Sequence, residues 1–367
     1  MKRTITKVIL LLYCLAMAFI LWNELDDHPA KVALKYLRTN EKTKLKDQKQ
    51  EPVILLYTDF FTGPWYLRWD KHYPCRFNCK FTYNKSVLDT ANAVGFHDAD
   101  LPLVLPKRTK SDQIWFYFNL ESPVNSKTGD YRNIFNWTMS YRTDSDVFTP
   151  YGIHEPLSCS EALAFKNEAK HRNFAAKRTK MIAWISSNCD DSIGRYDYVQ
   201  KLTRYVNVDI YGQCGNLSCK RGSNSRLSND CKKKISKYKF YLAFENSLCQ
   251  DYISEKYWEN ALENELIPVV MGGADYDSIA IPDSFINVED FETVKNLADY
   301  LKYLDQNDTA YNEYFQWKNM FKLSTPYTYG CALCTALNSR KAKQPKVYSS
   351  LLDFWKVNKC RKNIKMK

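Results

Sequence analysis

From residue 53 onward, short apolar runs alternate with stretches of helical spacing. The runs lie at 53–57, 93–96, 114–118, 181–185, 208–211, 240–244, 267–270 and 285–288 and read as strands. Helical patterns lie at 160–171, 195–205, 253–265, 293–304 and 311–321. In the third of these, Ile253, Tyr257 and Ala261 share one face at i, i+4 and i+8. Short strands alternating with such helices predict parallel α/β layers. No internal repeat is visible. The basic run at 171–180 marks the natural break, giving a domain at 52–175 and a second at 176–340.

The N-terminus differs in kind. Residues 8–22 carry no charge, with Lys2, Arg3 and Lys7 before them and Glu24, Asp26 and Asp27 after. A helix of this length spans about 22 Å, short of a bilayer core of about 30 Å, although thin early-secretory membranes tolerate shorter spans. The charge asymmetry predicts a cytosolic tail at 1–7, a signal-anchor helix at 8–22, a polar stem at 23–51 and a lumenal body. A signal peptide cleaved near Ala16-Met17-Ala18 is the competing reading; the polar stem favours the anchor. Both place the body in the secretory pathway, as do sequons at Asn84, Asn136, Asn216 and Asn307.

There are twelve cysteines, and setting aside Cys14 in the apolar segment leaves eleven, so at least one is unpaired. Cys75-x-x-x-Cys79 and Cys331-x-x-Cys334 invite a zinc reading, but an oxidising compartment favours disulfides. Cys189, Cys214, Cys219 and Cys231 read as a second, local set. The chain of 367 residues carries a net charge of +12, much of it at 31–49 and 340–367, which read as a solvated stem and a basic C-terminal tail at 341–367. A basic, aromatic-rich chain fits nucleic acid by composition alone, but the secretory signals argue against it. With eleven glycines and no Gly-x-Gly-x-x-Gly loop, a dinucleotide cofactor is not expected.

The segment Phe240-Tyr-Leu-Ala-Phe-Glu-Asn-Ser247 followed by Asp251-Tyr-Ile-Ser-Glu-Lys256 is a strand tip leading into a helix start. Open α/β sheets bind ligands there, and a helix N-terminus with a nearby lysine suits phosphate oxygens. This segment, with Ile267-Pro-Val-Val270 and Asp283-Ser-Phe-Ile286, closely resembles the donor-binding region of the α-1,3-fucosyltransferases (glycosyltransferase family 10). Further matches are Phe118-Asn-Leu-Glu-Ser-Pro123, the stretch from Phe135 to Asp146 reading Phe-Asn-Trp-Thr-Met-Ser-Tyr-Arg-Thr-Asp-Ser-Asp, Pro150-Tyr-Gly152, and Trp184-Ile-Ser-Ser-Asn188 with Arg195. They follow in order over roughly residues 52–340, and the cysteine-rich stretch 214–231 is most similar to nematode members.

The resemblance implies a GT-B architecture, two Rossmann-like domains facing a cleft, and Golgi anchoring as a single-pass type II protein. It implies that Cys75 and Cys79 bridge to Cys331 and Cys334. It also implies inverting transfer of L-fucose from GDP-β-L-fucose to O3 of an N-acetylglucosamine, in an N-glycan or a lactosamine-type antenna. Glu121 falls on the family's catalytic base, and Arg195 and Lys256 on positions that contact the donor diphosphate. Glu255 suits the ribose diol, Tyr252 packing against guanine or fucose, and Asn246 orienting the donor. Glu245 reads equally as a loop-holding residue. Asp98-Ala-Asp100, Asp144-Ser-Asp146 and Asp275-Tyr-Asp277 each match the metal-holding Asp-x-Asp pattern, whose repetition shows how cheap it is. No metal site is expected; Mn²⁺ or Mg²⁺ would stimulate at most. His97 and His154 read as structural. Two other readings keep the fold: an anchored glycan-binding protein without turnover, and a transferase for another nucleotide-sugar.

Overall fold

The structure, a computed structural model, describes residues 51–65, 75–158, 160–162, 172–189, 193–220, 222, 226–324, 329–339, 342 and 344–364. The expected cytosolic tail, the anchor, the stem up to residue 50 and most of the helix expected at 160–171 lie outside these residues, as do Cys14 and Cys159. Among the described residues, no helix is long and apolar enough to cross a membrane.

Two parallel sheets organise the chain. The first holds β1 (Val53–Leu56), β2 (Lys80–Thr82), β3 (Ala93–His97), β4 (Ile114–Asn119), β5 (Trp137–Ser140) and β6 (Val147–Phe148), in the order β2-β1-β3-β4-β5-β6. After β7 (Ile153–Pro156), the second holds β8 (Lys180–Ile185), β9 (Val208–Tyr211), β10 (Tyr238–Phe244), β12 (Ile267–Met271) and β13 (Ile286–Asn287), in the order β13-β12-β10-β8-β9. Two short ribbons complete it: β11 (Leu248–Cys249) with β15 (Cys360–Arg361), and β7 with β14 (Phe321–Ser324). All eight expected strands are present. The additional ones are short or polar, below what an apolar run can signal.

Central strands are buried on both faces, as a parallel sheet requires. In β4, Phe116 and Phe118 pack into one core and Trp115 and Tyr117 into another. In β10, Phe240, Leu242 and Phe244 face one core and Tyr241 and Ala243 the other. Gly95 in β3 lies against the Phe116 ring, where a Cβ would come within 2.3 Å of it.

Three expectations are corrected. The helix expected at 253–265 is a wide π-turn, Lys256–Ala261, followed by a 3-10 turn, Leu262–Asn264. Tyr257 and Trp258 are both buried, and a wider turn accommodates two adjacent large side chains better than a single α-helical stripe. The helix expected at 311–321 splits into helix Asp308–Glu313, 3-10 turn Gln316–Asn319 and strand β14, which pairs with β7 where the chain crosses between the sheets. The third is the solvated tail at 341–367: residues 344–364 instead fold back. Leu351 and Trp355 of helix Leu351–Trp355 are fully buried against the first sheet. The basic average concealed one amphipathic turn, Leu351, Phe354 and Trp355. Helix Tyr329–Leu337 covers the opposite face of that sheet. The first unit is therefore closed by residues 329–337 and 351–355, which follow the second sheet in sequence, and the two units are not contiguous halves.

Covalent bonds fix this return. Cys75 pairs with Cys331 and Cys79 with Cys334, at sequence separations of 256 and 255. The local set resolves as Cys189–Cys214 and Cys219–Cys231, and a fifth bridge joins Cys249 to Cys360. Asp146 adds a polar clasp: it accepts from Lys346 Nζ at 2.6 Å, Tyr348 Oη at 2.7 Å and the Thr138 amide at 2.9 Å.

Two predictions follow from these ties. Either long bridge alone closes the large loop, worth about 5 kcal/mol in the chain-entropy model, whereas the second closes only a short extra loop, worth about 2–3 kcal/mol. Serine replacement of one pair should lower stability modestly, and replacement of both pairs by much more than twice that amount, measured by thermal unfolding. Asp146→Ala strands two buried donors and should cost roughly 2–4 kcal/mol in the same assay.

Candidate active site

The last residue of β10, Phe244, hands over to Glu245, whose carboxylate is fully buried. It accepts from the Ser254 amide and the Ser254 hydroxyl, both at 2.8 Å, and from Lys256 Nζ at 2.9 Å. A carboxylate removed from water needs such compensation, and meeting it folds residues 251–256 back over the strand tip. Glu245 thus holds the loop. Lys256 Nζ also donates to the Ser254 hydroxyl at 2.8 Å and lies 3.7 Å from Glu255. Burial pulls the Lys256 pKa down, but the charges of Glu245 and Glu255 and the bond to Glu245 outweigh it and raise the pKa overall.

Arg195 begins helix Arg195–Leu202 after Gly194, whose φ of 68° suits glycine. Its guanidinium is buried and donates to the carbonyls of Phe244 and Asn188, both at 3.1 Å. The Arg195 charge opposes that of Lys256, so two cations sit within electrostatic reach at one strand tip. Asn246 is half-buried beside them and accepts from the Ser247 hydroxyl at 3.1 Å.

Glu121 lies at the tip of β4 in the other sheet. Buried Asn119 accepts from the Glu121 amide at 2.8 Å, turning the chain out of the strand before Pro123 opens a 3-10 turn. Tyr151 Oη donates to the Leu120 carbonyl at 2.7 Å. Glu121 itself is partly exposed.

Three tyrosines join the two tips. The Tyr252 ring lies 5.0 Å from Tyr141 and 6.2 Å from Tyr151. Burial, then the negative charges of Glu121, Glu245 and Glu255, hold the Tyr252 hydroxyl well above its usual pKa. Burial, then Tyr252, Glu121 and Glu255, do the same to Tyr151. Glu121 and Glu255, from different sheets, therefore act on the same two hydroxyls. Asp251, at a φ of 58°, accepts from the Thr143 amide at 3.0 Å and the Thr143 hydroxyl at 2.7 Å, tying the loop to the first unit. Gly152 lies against the Trp258 ring, where a Cβ would come within 2.3 Å.

Five of the six carboxylates in the Asp-x-Asp patterns are engaged elsewhere, Asp146 in the clasp described above. Asp98 accepts from Tyr117 and Thr128, Asp100 from His97 and two amides, Asp144 from Arg142, and Asp275 caps helix Tyr276–Ile279. Among the described residues, no group of three or more His, Cys, Asp or Glu could hold a metal ion. His97 is buried among Phe60 and Phe61, and burial lowers its pKa despite Asp100. His154 sits in β7 against Phe321. Of the sequons, Asn84 and Asn216 are exposed, Asn307 caps helix Asp308–Glu313, and Asn136 bonds the Trp115 amide and the Lys346 carbonyl. Sequence reasoning missed Tyr141, Tyr151 and Thr143 as the join, although all three stand in the quoted motifs.

The family model "Fucosyltransferase, N-terminal" matches residues 49–152, and "Glycosyltransferase family 10 (fucosyltransferase) C-term" matches residues 175–355; residues 356–364 lie beyond both. The chain is 34% identical over 325 residues to the Drosophila melanogaster protein named glycoprotein 3-alpha-L-fucosyltransferase A, covering 85% of this chain and 62% of that one. It is 38% identical over 293 residues to the human protein named 4-galactosyl-N-acetylglucosaminide 3-alpha-L-fucosyltransferase FUT5, covering 77% and 74% respectively. A crystal structure of an α1,3-fucosyltransferase with GDP-fucose shares the fold, with a TM-score of 0.54 and 16% identity over 85% of this chain and 97% of that one. With both family models matched in order and these relatives in agreement, the chain belongs to the fucosyltransferases of glycosyltransferase family 10.

Proposed function

We propose that the protein is an inverting α-1,3-fucosyltransferase that moves L-fucose from GDP-β-L-fucose to O3 of N-acetylglucosamine in glycoprotein N-glycans. The observation that carries this reading is the convergence of Glu121, from the first sheet, and Glu255, from the second, on Tyr151 and Tyr252, with Glu255 3.7 Å from Lys256 and Arg195 within electrostatic reach of that lysine. Glu121 removes the O3 proton, and the oxygen attacks the anomeric carbon from the face opposite the diphosphate. The bond to the GDP oxygen breaks, and Lys256 with Arg195 offsets the charge that develops there. Glu255 holds the ribose diol, while Tyr252 and Asn246 orient the donor. The GT-B architecture accords with two parallel sheets joined through their strand tips.

The human protein's name gives a 4-galactosyl-N-acetylglucosaminide acceptor and the Drosophila protein's a glycoprotein, and both support the acceptor class proposed. The five disulfides among the described residues support a body in the secretory pathway, and residues 8–22 would anchor it in the Golgi membrane. The cation pair takes the place that a metal fills in other glycosyltransferases, so Mn²⁺ or Mg²⁺ stimulates at most and a chelator leaves most of the activity.

Two measurements test this. In a secreted fragment starting near residue 40, Glu121→Gln should lower kcat by about 10²-fold or more while GDP still binds; unchanged turnover would remove Glu121 from the mechanism. The second concerns pH. Because the Lys256 pKa is raised, its charge is fully present below the ordinary lysine range and is lost only as pH climbs through the raised value. GDP affinity of the wild type should therefore stay flat across neutral and mildly alkaline pH. In Glu245→Gln, burial is less opposed, and affinity should fall at lower pH. Calorimetric titration at several pH values reads this, and superimposable profiles would contradict it.

A further inference from the structure

The last described residues run from the core of the first unit to the loop beside the second unit's strand tips. Trp355 is buried in the first unit, its indole N–H donates to the Ser126 hydroxyl at 3.0 Å, and Lys356 Nζ donates to the Ser126 carbonyl at 2.9 Å. Ser126 stands five residues after Glu121. From there the chain crosses to the second unit. The Lys359 carbonyl accepts from the Gln250 amide at 2.7 Å, β15 pairs with β11, and Cys360 is bonded to Cys249. The loop held is 248–250, directly before Asp251-Tyr252 and the Glu255-Lys256 pair. Arg361 then reaches further, donating to the Gly272 carbonyl at the tip of β12 at 2.9 Å and pairing with Glu289 after β13. Gly273 lets that tip lie against the backbone of β11, where a Cβ would come within 2.1 Å of the Leu248 carbonyl carbon.

We infer that residues 356–364 form a hook that positions the donor site: it fixes the loop 250–256 across the tips of β10, β12 and β13, and so sets the affinity for the nucleoside diphosphate. The inference rests on the fucosyltransferase reading of the site. Cys360 and Arg361 are positioning residues that act through the loop. Preorganising a binding loop raises affinity by removing the cost of ordering it on binding. A disulfide, a strand pair and a two-partner arginine within three consecutive residues, 359–361, all serve this one loop and its neighbouring tips. The hook also begins beside the Glu121 loop, so the same segment spans the base side and the donor side.

The test uses the chain with Cys249→Ser/Cys360→Ser, with Arg361→Ala, and with Cys75→Ser/Cys331→Ser as a control that removes a bridge from the first unit. GDP affinity, the KM values for GDP-fucose and for acceptor, and amide exchange over 250–256 are measured for each. The hook variants should weaken GDP binding and raise the donor KM roughly tenfold, leave the acceptor KM unchanged and speed exchange in the loop. The control should lose thermal stability with the donor KM unchanged. Wild type that binds GDP, with hook variants matching it in affinity and loop exchange, would overturn the inference alone. Wild type that binds no GDP would overturn it together with the reading on which it rests.

Discussion

A buried carboxylate organises this protein's cleft. Glu245 stands at the end of β10, a strand buried along its whole length, where an uncompensated charge would cost several kcal/mol. Its compensation comes from a loop that doubles back, giving an amide, a hydroxyl and an ammonium to the same carboxylate. That geometry places Lys256 beside Glu255 and within the field of Arg195. The wide π-turn then starts at Lys256 and carries Trp258 onto Gly152 of the crossing segment. A structural demand, the satisfaction of one buried charge, thereby gathers Lys256 and Arg195 with their carboxylate neighbours at a strand tip.

The second constraint is that two sheets must keep their tips opposed. The Thr143–Asp251 bonds and the tyrosine cluster do this at the centre, and the β7–β14 ribbon does it where the chain crosses. The C-terminal return closes the arrangement. Helix Tyr329–Leu337 and helix Leu351–Trp355 cover opposite faces of the first sheet, after the chain has already built the second. The paired bridges at Cys331 and Cys334 make that return permanent in an oxidising compartment. Such non-local closure is entropically expensive for an uncrosslinked chain.

Much of this was legible in the sequence, and for a physical reason. Strands buried on both faces write themselves as apolar runs, so β1, β3, β4, β8, β9, β10, β12 and β13 could be read directly. Glu121 and Lys256 stood out only through the family resemblance, since a charged residue after an apolar run is by itself more often a plain loop or surface group. Short edge strands such as β2 and β6 carry too few apolar positions to register. The Cys249–Cys360 bridge was invisible because pairing depends on where the tail goes, and basic composition hid the Leu351 and Trp355 anchors. The loop-holding role of Glu245 could not be separated from ligand binding, since a strand-tip carboxylate serves either purpose equally well. The tyrosine join needed both sheets at once, which no local pattern encodes.

The central claim is that the two strand tips form a single donor–acceptor cleft. A crystal structure with GDP and an N-acetylglucosamine-containing acceptor bound tests it most directly. The account predicts the diphosphate within hydrogen-bonding reach of Lys256, with the acceptor hydroxyl between the donor position and Glu121. A diphosphate seated away from Lys256, or an acceptor that leaves Glu121 out of reach of its hydroxyls, would contradict it.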